Sequence, residues 1–243
     1  MRLLRSLVAA VFFVLYGLGG LVIGGLLFPP LALLGRRRAM RALVRASWRL
    51  FVWGARATGL FRVCISPEDR RRLASARGVV VVANHVSLID IVVLMSILPD
   101  ATAVAKAAAR SNFFYSLIVR GVFLVNDDPV GVLDDAKALL AGGTSLVVFP
   151  EGTRVPADAP AHRLRRGAAQ IALHAGASLL PVFIEVDPPV LAKGQPWYDV
   201  ADRTITWTLR VREPVPVTVP AAGAGTHAAA VSLTQAIYGR LWP

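Results

Sequence analysis

The sequence predicts an α/β domain with a mixed, largely parallel sheet and flanking helices, preceded by an N-terminal membrane helix or hairpin. From residue 61 onward, short β-branched or apolar runs alternate with helical segments, which is typical of parallel sheets with crossover helices. Before that point, residues 6–34 carry no charged side chain, and about 20 apolar residues suffice to cross a bilayer. We therefore divide the chain into a membrane-anchoring and interfacial region, 1–60, and an α/β domain, 61–243.

Composition supports a membrane setting. The 243 residues are 55% hydrophobic, and the net charge of +12 comes mostly from arginines before residue 73. Because these arginines interleave with apolar and aromatic residues, and no nucleic-acid-binding motif accompanies them, they favour an anionic lipid surface over nucleic acid. The single cysteine, Cys64, excludes an internal disulfide and a cysteine-rich metal cluster.

The charge-free run is predicted to remain in the mature protein. Arg2 and Arg5 resemble the basic start of a signal peptide, but the run exceeds the ~7–15 apolar residues of such a peptide and an arginine block follows it. Its glycines and Pro29-Pro30 permit either a single span or a hairpin. By the positive-inside rule, the arginine block predicts that the α/β domain lies on the cytoplasmic face, and we expect the membrane to be a bacterial inner membrane.

Residues 36–60 have apolar side chains at helical spacing and arginines over much of the remaining surface. Two structures fit this pattern. One is an interfacial helix lying on the membrane, and the other is a helix docked on the soluble domain.

The elements of the second region follow from apolar runs and end signals. Strands are predicted at 61–65, 79–83, 101–105, 122–125, 145–149, 180–186 and 205–211. Helices are predicted after the Ser66 cap and at 91–98, 112–120, 129–140 and 167–175. The Pro/Ala/Gly-rich stretch 214–225 is interpreted as a linker to a short C-terminal helix.

Two polar motifs interrupt the predicted strands. His85 and Asp90 would point roughly 140° apart on one continuous helix, but a turn between strand and helix can fold the carboxylate back onto the imidazole. Such a pair can act as a general base with its orienting acid, or it can merely cap a helix. The second motif, FPEGTR at 149–154, ends a strand in a turn that Gly152 permits, beside an arginine suited to phosphate.

Together these motifs resemble the 1-acyl-sn-glycerol-3-phosphate (lysophosphatidate) acyltransferase family of membrane-bound glycerolipid acyltransferases. The resemblance covers about residues 79–186 and implies a glycerolipid-acyltransferase-like fold. It implies that His85 is the general base and Asp90 its partner. The residues it implies for substrate binding are Asn84, Ser87, Lys106, Glu151, Gly152, Thr153 and Arg154. The Leu180-Pro181-Val182 strand and the basic-glycine run at 165–169 also match.

The second block of the family pattern is not fully matched. The block G-x-x-F-x-D-R is represented by GVFLVND at 121–127, with Leu124 for Phe, Asn126 for Asp and Asp127 in the basic position, and the proline that usually follows the lysine is Phe113. These departures bear on the acceptor head group, whereas the residues expected to act on the thioester are present.

The implied reaction transfers a fatty acyl group from acyl-CoA or acyl-carrier protein to the free hydroxyl of 1-acyl-sn-glycerol 3-phosphate, giving phosphatidate. Acylation of another lysophospholipid or a specialised lipid, and a non-catalytic membrane-binding protein, are the alternatives. No cofactor or metal is expected, because His162, His174 and His227 are isolated in the sequence. A serine hydrolase is not expected either, because no G-x-S-x-G motif occurs. Membrane lipids and the acyl donor are the expected partners, and the sequence does not indicate an oligomeric state.

Overall fold

The computed structural model describes residues 2–106, 116–126, 128–155, 164–219 and 225–242. Helices are α1 (Arg2–Val22), continued by a π-helical turn (Ile23–Leu27), α2 (Phe28–Leu33), α3 (Arg37–Ala57), α4 (Pro67–Ser75), α5 (Asp90–Ile97), α6 (Ser116–Val122), α7 (Pro129–Ala141), α8 (Gly167–Ala175) and α9 (Thr226–Leu241). Strands are β1 (Phe61–Ile65), β2 (Val80–Ala83), β3 (Ala101–Lys106), β4 (Leu124–Asn126), β5 (Ser145–Val148), β6 (Leu179–Asp187) and β7 (Ile205–Val211).

The described strands form one sheet in the order β1-β7-β6-β2-β5-β3-β4. The β6–β7 pair is antiparallel, and the other neighbouring pairs are parallel. The predicted mixed, largely parallel α/β fold is therefore confirmed. β2 lies at the centre, so that its carboxyl end meets those of β5 and β6 at one edge, where parallel α/β sheets bind ligands.

Alternate side chains of β2 enter two separate cores. Val81 packs into the core beneath α3 and α5, whereas Val80 and Val82 pack beneath α7, α8 and α9. Because both faces are covered, the strand is apolar throughout, as buried parallel strands are. This burial explains why the run at 79–83 shows no polar alternation.

One strand prediction is wrong at its start. Val122 belongs to α6, and β4 begins only at Leu124. The side chain of Val122 is buried in the core beneath α3, and the Phe123 N–H continues the helical bonding to Val119. The apolar run predicted as one strand therefore contains the last residue of α6 and, after Phe123, the first residues of β4.

The first region is a bent helix followed by α3, packed against the α/β domain. Phe12 and Tyr16 of α1 contact the ring of Phe51 on α3, with ring centroids 5.6 and 5.4 Å apart. On α3, the side chains of Val44 and Trp48 are completely or almost completely buried. The helix is docked on the domain through this face, and its placement at a membrane surface stays a prediction.

Arginines hold both ends of this region to the domain. Arg5 donates to the carbonyl groups of Gly59, Leu60, Ala201 and Arg203 at 2.7–3.3 Å. At the other end, the Arg41 guanidinium makes two hydrogen bonds to Asp100, at 2.6 and 3.1 Å. Burial acts to raise the pKa of Asp100, but Arg41, Thr144 and Arg38 together outweigh burial and hold the pKa below its usual range. The N-terminal region is thus docked along the domain.

Among the described residues, one helix is long and apolar enough to cross a membrane, Leu3–Leu33, with a mean hydropathy of 2.4. It includes the π-helical turn, where Gly24 faces Leu117 of α6 so closely that a Cβ on residue 24 would collide with the leucine Cβ. Many of its leucines and valines are exposed. The helix therefore presents an uncovered apolar surface although it is packed on one side.

The predicted linker is partly structured. Val215 is buried and forms an isolated antiparallel bridge with Leu179 at the start of β6. Residues 220–224 lie outside the described part of the chain. The C-terminal helix α9 has 16 residues and buries Ile237 and Leu241.

Candidate active site

The turn between β2 and α5 brings an imidazole and a carboxylate together. β2 ends at Ala83 and α5 begins at Asp90, whose Oδ2 lies 3.0 Å from Nδ1 of His85. The same oxygen accepts the backbone N–H groups of Val86 and Ser87, at 2.8 and 2.7 Å. The two main-chain N–H groups fix the position of Oδ2, and this is the oxygen that Nδ1 of His85 contacts.

The second carboxylate oxygen of Asp90 is bound from a distant strand. Nε1 of Trp207, on β7, donates to Oδ1 at 3.0 Å. Asp90 is completely buried and Trp207 almost so. A buried carboxylate needs hydrogen bonds on both oxygens to offset its lost hydration, and the turn and the indole provide them.

The imidazole of His85 is fixed by stacking and is open on one nitrogen. Its ring lies nearly parallel to that of Phe149, with centroids 4.1 Å apart and planes inclined by 18°. Within the described part of the chain, Nε2 has no hydrogen-bond partner, and the side chain is 17% exposed. This nitrogen is therefore the one available to a substrate hydroxyl.

The segment after β5 makes hydrogen bonds to both the main-chain N–H and the main-chain carbonyl of His85. Oε1 of Glu151 accepts the His85 N–H at 3.1 Å, and the Val155 N–H donates to the His85 carbonyl at 2.8 Å. The turn between them requires Gly152, which has φ +66° and whose missing Cβ would lie 2.8 Å from Nε of Arg165. The second sequence motif thus supports the first directly.

Glu151 is a buried acid with one unused oxygen. Oε2 has no hydrogen-bond partner among the described residues. Burial raises the pKa of Glu151 to about 7, opposed by its backbone hydrogen bonds and assisted by the nearby charge of Asp90. Glu151 therefore titrates near neutrality, one hydrogen bond away from His85.

Arg154 ties the motif to the loop after β6. Its Nη1 donates to the carbonyl oxygens of Leu191 and Ala192, at 2.6 and 3.3 Å. The Leu191 carbonyl also accepts the N–H of Leu88 in the first motif at 3.2 Å, and Leu191 has φ +53°. Guanidinium groups have five N–H donors, so these bonds leave donors for an anionic ligand.

Comparison with known proteins agrees with this geometry. A family model described as Acyltransferase matches residues 62–185, just over half of the chain. The chain belongs to this acyltransferase family. The family expected from the motifs at 84–90 and 149–154 is therefore confirmed.

Curated relatives with related names match about half of the chain. Human 1-acyl-sn-glycerol-3-phosphate acyltransferase beta is 29% identical over 125 residues, covering 47% of this chain and 44% of the relative. A probable 1-acyl-sn-glycerol-3-phosphate acyltransferase of Mycoplasma pneumoniae is 27% identical over 137 residues, covering 52% and 50%. The chain thus spans about half the length of the curated relatives it matches.

A solved structure supports the fold over nearly the whole chain. The crystal structure of the 1-acyl-sn-glycerophosphate (LPA) acyltransferase PlsC from Thermotoga maritima aligns with a TM-score of 0.64 at 22% identity. The alignment covers 98% of this chain and 97% of that one. The N-terminal helices are therefore included in the shared architecture of the acyltransferase.

Two residues expected to bind substrate in the acyltransferase are engaged within the protein. The side-chain amide of Asn84 donates to the carbonyl of Ile184 at 2.7 Å and accepts the N–H of the same residue at 2.6 Å. Ser87 is completely buried. Their geometry favours positioning of the His85 turn over direct contact with substrate.

The remaining predicted residues are placed as follows. Thr153 is half-buried in the turn between Glu151 and Arg154. The main chain of Lys106 ends β3 and pairs with Asn126, but its side chain lies outside the described part of the structure. Phe113, Asp127 and His162 also lie outside the described residues.

The described histidines away from the turn have other partners. His174 of α8 lies 2.7 Å from Asp134, and His227 lies 2.9 Å from Arg166. Over the described ranges, no group of three or more His, Cys, Asp or Glu side chains is placed to hold a metal ion.

Sequence patterns did not indicate Trp207 as part of the acyltransferase site. It lies 117 residues after Asp90, beyond the matched family region, within a strand whose aromatic residue suggests only a core position. The one available signal is that a buried indole N–H requires an acceptor. Its contact becomes apparent only when β7 is placed in the sheet.

Proposed function

We propose that the chain is a membrane-bound O-acyltransferase that transfers a fatty acyl group from acyl-CoA or acyl-carrier protein to 1-acyl-sn-glycerol 3-phosphate. The product would be phosphatidate, a precursor of phospholipids. The observation that carries this proposal is the 3.0 Å contact between His85 and the buried Asp90, with Nε2 of the imidazole left open. Within the described part of the chain, no Ser, Thr or Cys side chain is hydrogen-bonded to this nitrogen, which fits direct attack by the acceptor.

The proposed reaction proceeds in two proton transfers. Nε2 of His85 removes the proton from the acceptor hydroxyl as its oxygen attacks the thioester carbonyl carbon. The tetrahedral intermediate then collapses with cleavage of the carbon–sulfur bond, and the imidazolium returns the proton to the departing thiolate. The products are an oxygen ester and a free thiol. Asp90 stabilises the imidazolium between these steps, and Phe149 holds the ring plane.

The acceptor phosphate is proposed to lie beside Arg154. Its guanidinium is oriented by the carbonyl groups of the loop after β6, which leaves donors for a planar, two-point contact with phosphate. Lys106 is proposed as a second cation on the grounds of the motif. The protein would attach to the membrane through the exposed apolar side chains of α1, with its domain on the cytoplasmic face of a bacterial inner membrane.

An alternative acceptor is favoured by one sequence position. Asp127 stands where the family pattern usually has arginine, and a carboxylate there would repel a phosphate monoester. A lysophospholipid with a less charged head group is therefore the second candidate acceptor.

The test measures both the thiol and the lipid product. Membranes containing the full chain are supplied with acyl-CoA or acyl-carrier protein and a panel of lysophospholipids, and thiol release is followed while products are identified by mass spectrometry. We expect phosphatidate from lysophosphatidate. Release of thiol with another acceptor alone would move the assignment to the second candidate, and no acceptor-dependent release would reject both.

Glu151 gives a prediction about stability and pH. Its pKa is raised in the folded protein from 4.5 to about 7, so the protonated form is favoured by folding. The resulting stabilisation is complete below about pH 4.5 and is lost as pH rises through about 7. As pH rises through this window, the unfolding free energy of Glu151→Gln should increase relative to that of wild type by about 3 kcal/mol. Thermal or chemical unfolding in detergent between pH 4.5 and 8 measures the difference.

The matched control is Glu185→Gln. Glu185 is half-exposed and paired with Arg210, so its replacement should leave the dependence on pH nearly parallel to that of wild type. A Glu151→Gln variant whose curve also runs parallel to wild type would show that Glu151 is ionised throughout the window.

A further inference from the structure

A groove opens between the end of α3 and the edge strand β1, away from the His85 turn. It has a volume of about 440 Å³. The side chains and backbone that line it include Trp53, Arg56, Gly59, Phe61, Arg62 and Thr204, and this is called the arginine groove below. It contains neither member of the proposed catalytic pair.

The positive charges of the two arginines in the groove are not paired with an acidic side chain in the described part of the chain. Within the described part of the chain, Arg56 and Arg62 have no side-chain hydrogen bond or ion pair, and both are exposed. By contrast, Arg203 nearby is bound by both oxygens of Asp187, at 2.8 and 2.9 Å. Two unpaired guanidinium groups lining one concave surface produce a positive potential that favours an anion.

Among the described residues that line the groove, none is acidic. The carbonyl of the lining residue Gly59 accepts from Nη1 of Arg5, at 3.3 Å, and from the Thr204 hydroxyl, at 3.1 Å. Arg5 therefore adds a third cation close to the groove, and the Gly59 carbonyl already has donors.

The groove also adjoins the exposed apolar surface. Trp53 and Leu50 of α3 are 68% and 66% exposed, and Leu4 and Leu7 flank Arg5 on α1. An exposed tryptophan beside arginines is the pattern found at the boundary between lipid head groups and acyl chains. This position distinguishes the groove from an anion site that faces only water.

We propose that the arginine groove binds the phosphate group of an anionic phospholipid from the surrounding membrane. The phosphodiester would accept hydrogen bonds from Arg56 and Arg62, while Trp53 would contact the glycerol and the first part of an acyl chain. The same chemistry could recognise free phosphate, but the apolar side chains around the groove favour the lipid. The proposal does not depend on the identity of the acyl acceptor.

The test uses native mass spectrometry of the full chain in detergent, titrated with phosphatidylglycerol or phosphatidylcholine. We expect one phosphatidylglycerol to be retained at least about fivefold more strongly than phosphatidylcholine. Arg56→Gln with Arg62→Gln should abolish the preference. Arg56→Lys with Arg62→Lys keeps the charge but removes the planar donor fork, so most of the preference should also be lost.

The matched control is Arg70→Gln with Arg71→Gln, which removes the same charge from exposed positions on α4. It should keep the preference for phosphatidylglycerol. Equal loss in this control, or full retention by the lysine variant, would indicate diffuse surface charge and reject the proposal, as would an unchanged preference in the Arg56→Gln, Arg62→Gln protein. Displacement of the lipid by submillimolar inorganic phosphate would reassign the groove to free phosphate.

Discussion

His85→Ala is expected to lower kcat for acyl transfer by about 10²–10⁴-fold while leaving the melting temperature close to that of wild type. The Nε2 nitrogen of the imidazole is open, and the ring makes one hydrogen bond, to Asp90, besides its stack on Phe149. After truncation, Asp90 still accepts from Trp207 and two backbone N–H groups. Thiol release under saturating donor and acceptor measures the loss.

His174→Ala is the matched control, because His174 is a partly exposed histidine paired with Asp134 on the far layer of the domain. Its kcat should remain within about twofold of wild type. The KM for the acceptor should change little in His85→Ala, because proton removal belongs to the transition state and not to binding. A folded His85→Ala protein with near wild-type kcat would contradict the proposed base.

The elements themselves could be predicted because their signals are local. The Ser66 cap is observed, with its Oγ accepting from the Asp69 N–H at 3.0 Å. β2 and α5 each lie within one residue of their predicted bounds, since apolar runs and polar interruptions specify them. Gly176 ends α8 in the left-handed conformation, as a helix-terminating glycine does.

The order of the strands and the supports of the site depend on contacts that are distant in sequence. β7 inserts between β1 and β6, so the last strand along the chain binds the first. This placement brings Trp207 to Asp90 and is not encoded by any periodicity near either residue. Likewise, Asn84 has the motif's expected identity, but only the neighbouring strand reveals that its amide is bound to the Ile184 backbone.

The same distinction applies to α3. Its amphipathic pattern is compatible with lipid or with a protein core, because either partner covers an apolar face. The structure shows that one face of α3 is covered by protein, because Trp48 is buried against the domain and contacts Phe123 at a centroid distance of 6.2 Å. Trp53, five residues later on the same helix, is 68% exposed.

Asp90→Asn is expected to lower kcat by at least about 10²-fold and to reduce the unfolding free energy by about 1–3 kcal/mol. Asn has one acceptor oxygen, whereas Asp90 uses both oxygens, one toward the His85 turn and the other toward Trp207. If the amide oxygen keeps the three donors of the turn, its NH₂ group faces the indole N–H. The imidazolium also loses its negatively charged partner. This loss lowers kcat in addition to the effect that the substitution has on the unfolding free energy.

Trp207→Phe tests this arrangement as a double-mutant cycle. In wild type it removes one hydrogen bond to a buried carboxylate, so it should cost stability and several-fold in kcat. In the Asp90→Asn background it removes a donor that faces another donor, and it should cost clearly less stability. Trp48→Phe makes a similar change in an equally buried indole of the same core, away from the dyad, and should cost the same in both backgrounds. Equal costs of Trp207→Phe in the two backgrounds would show that the indole does not stabilise the Asp90 carboxylate.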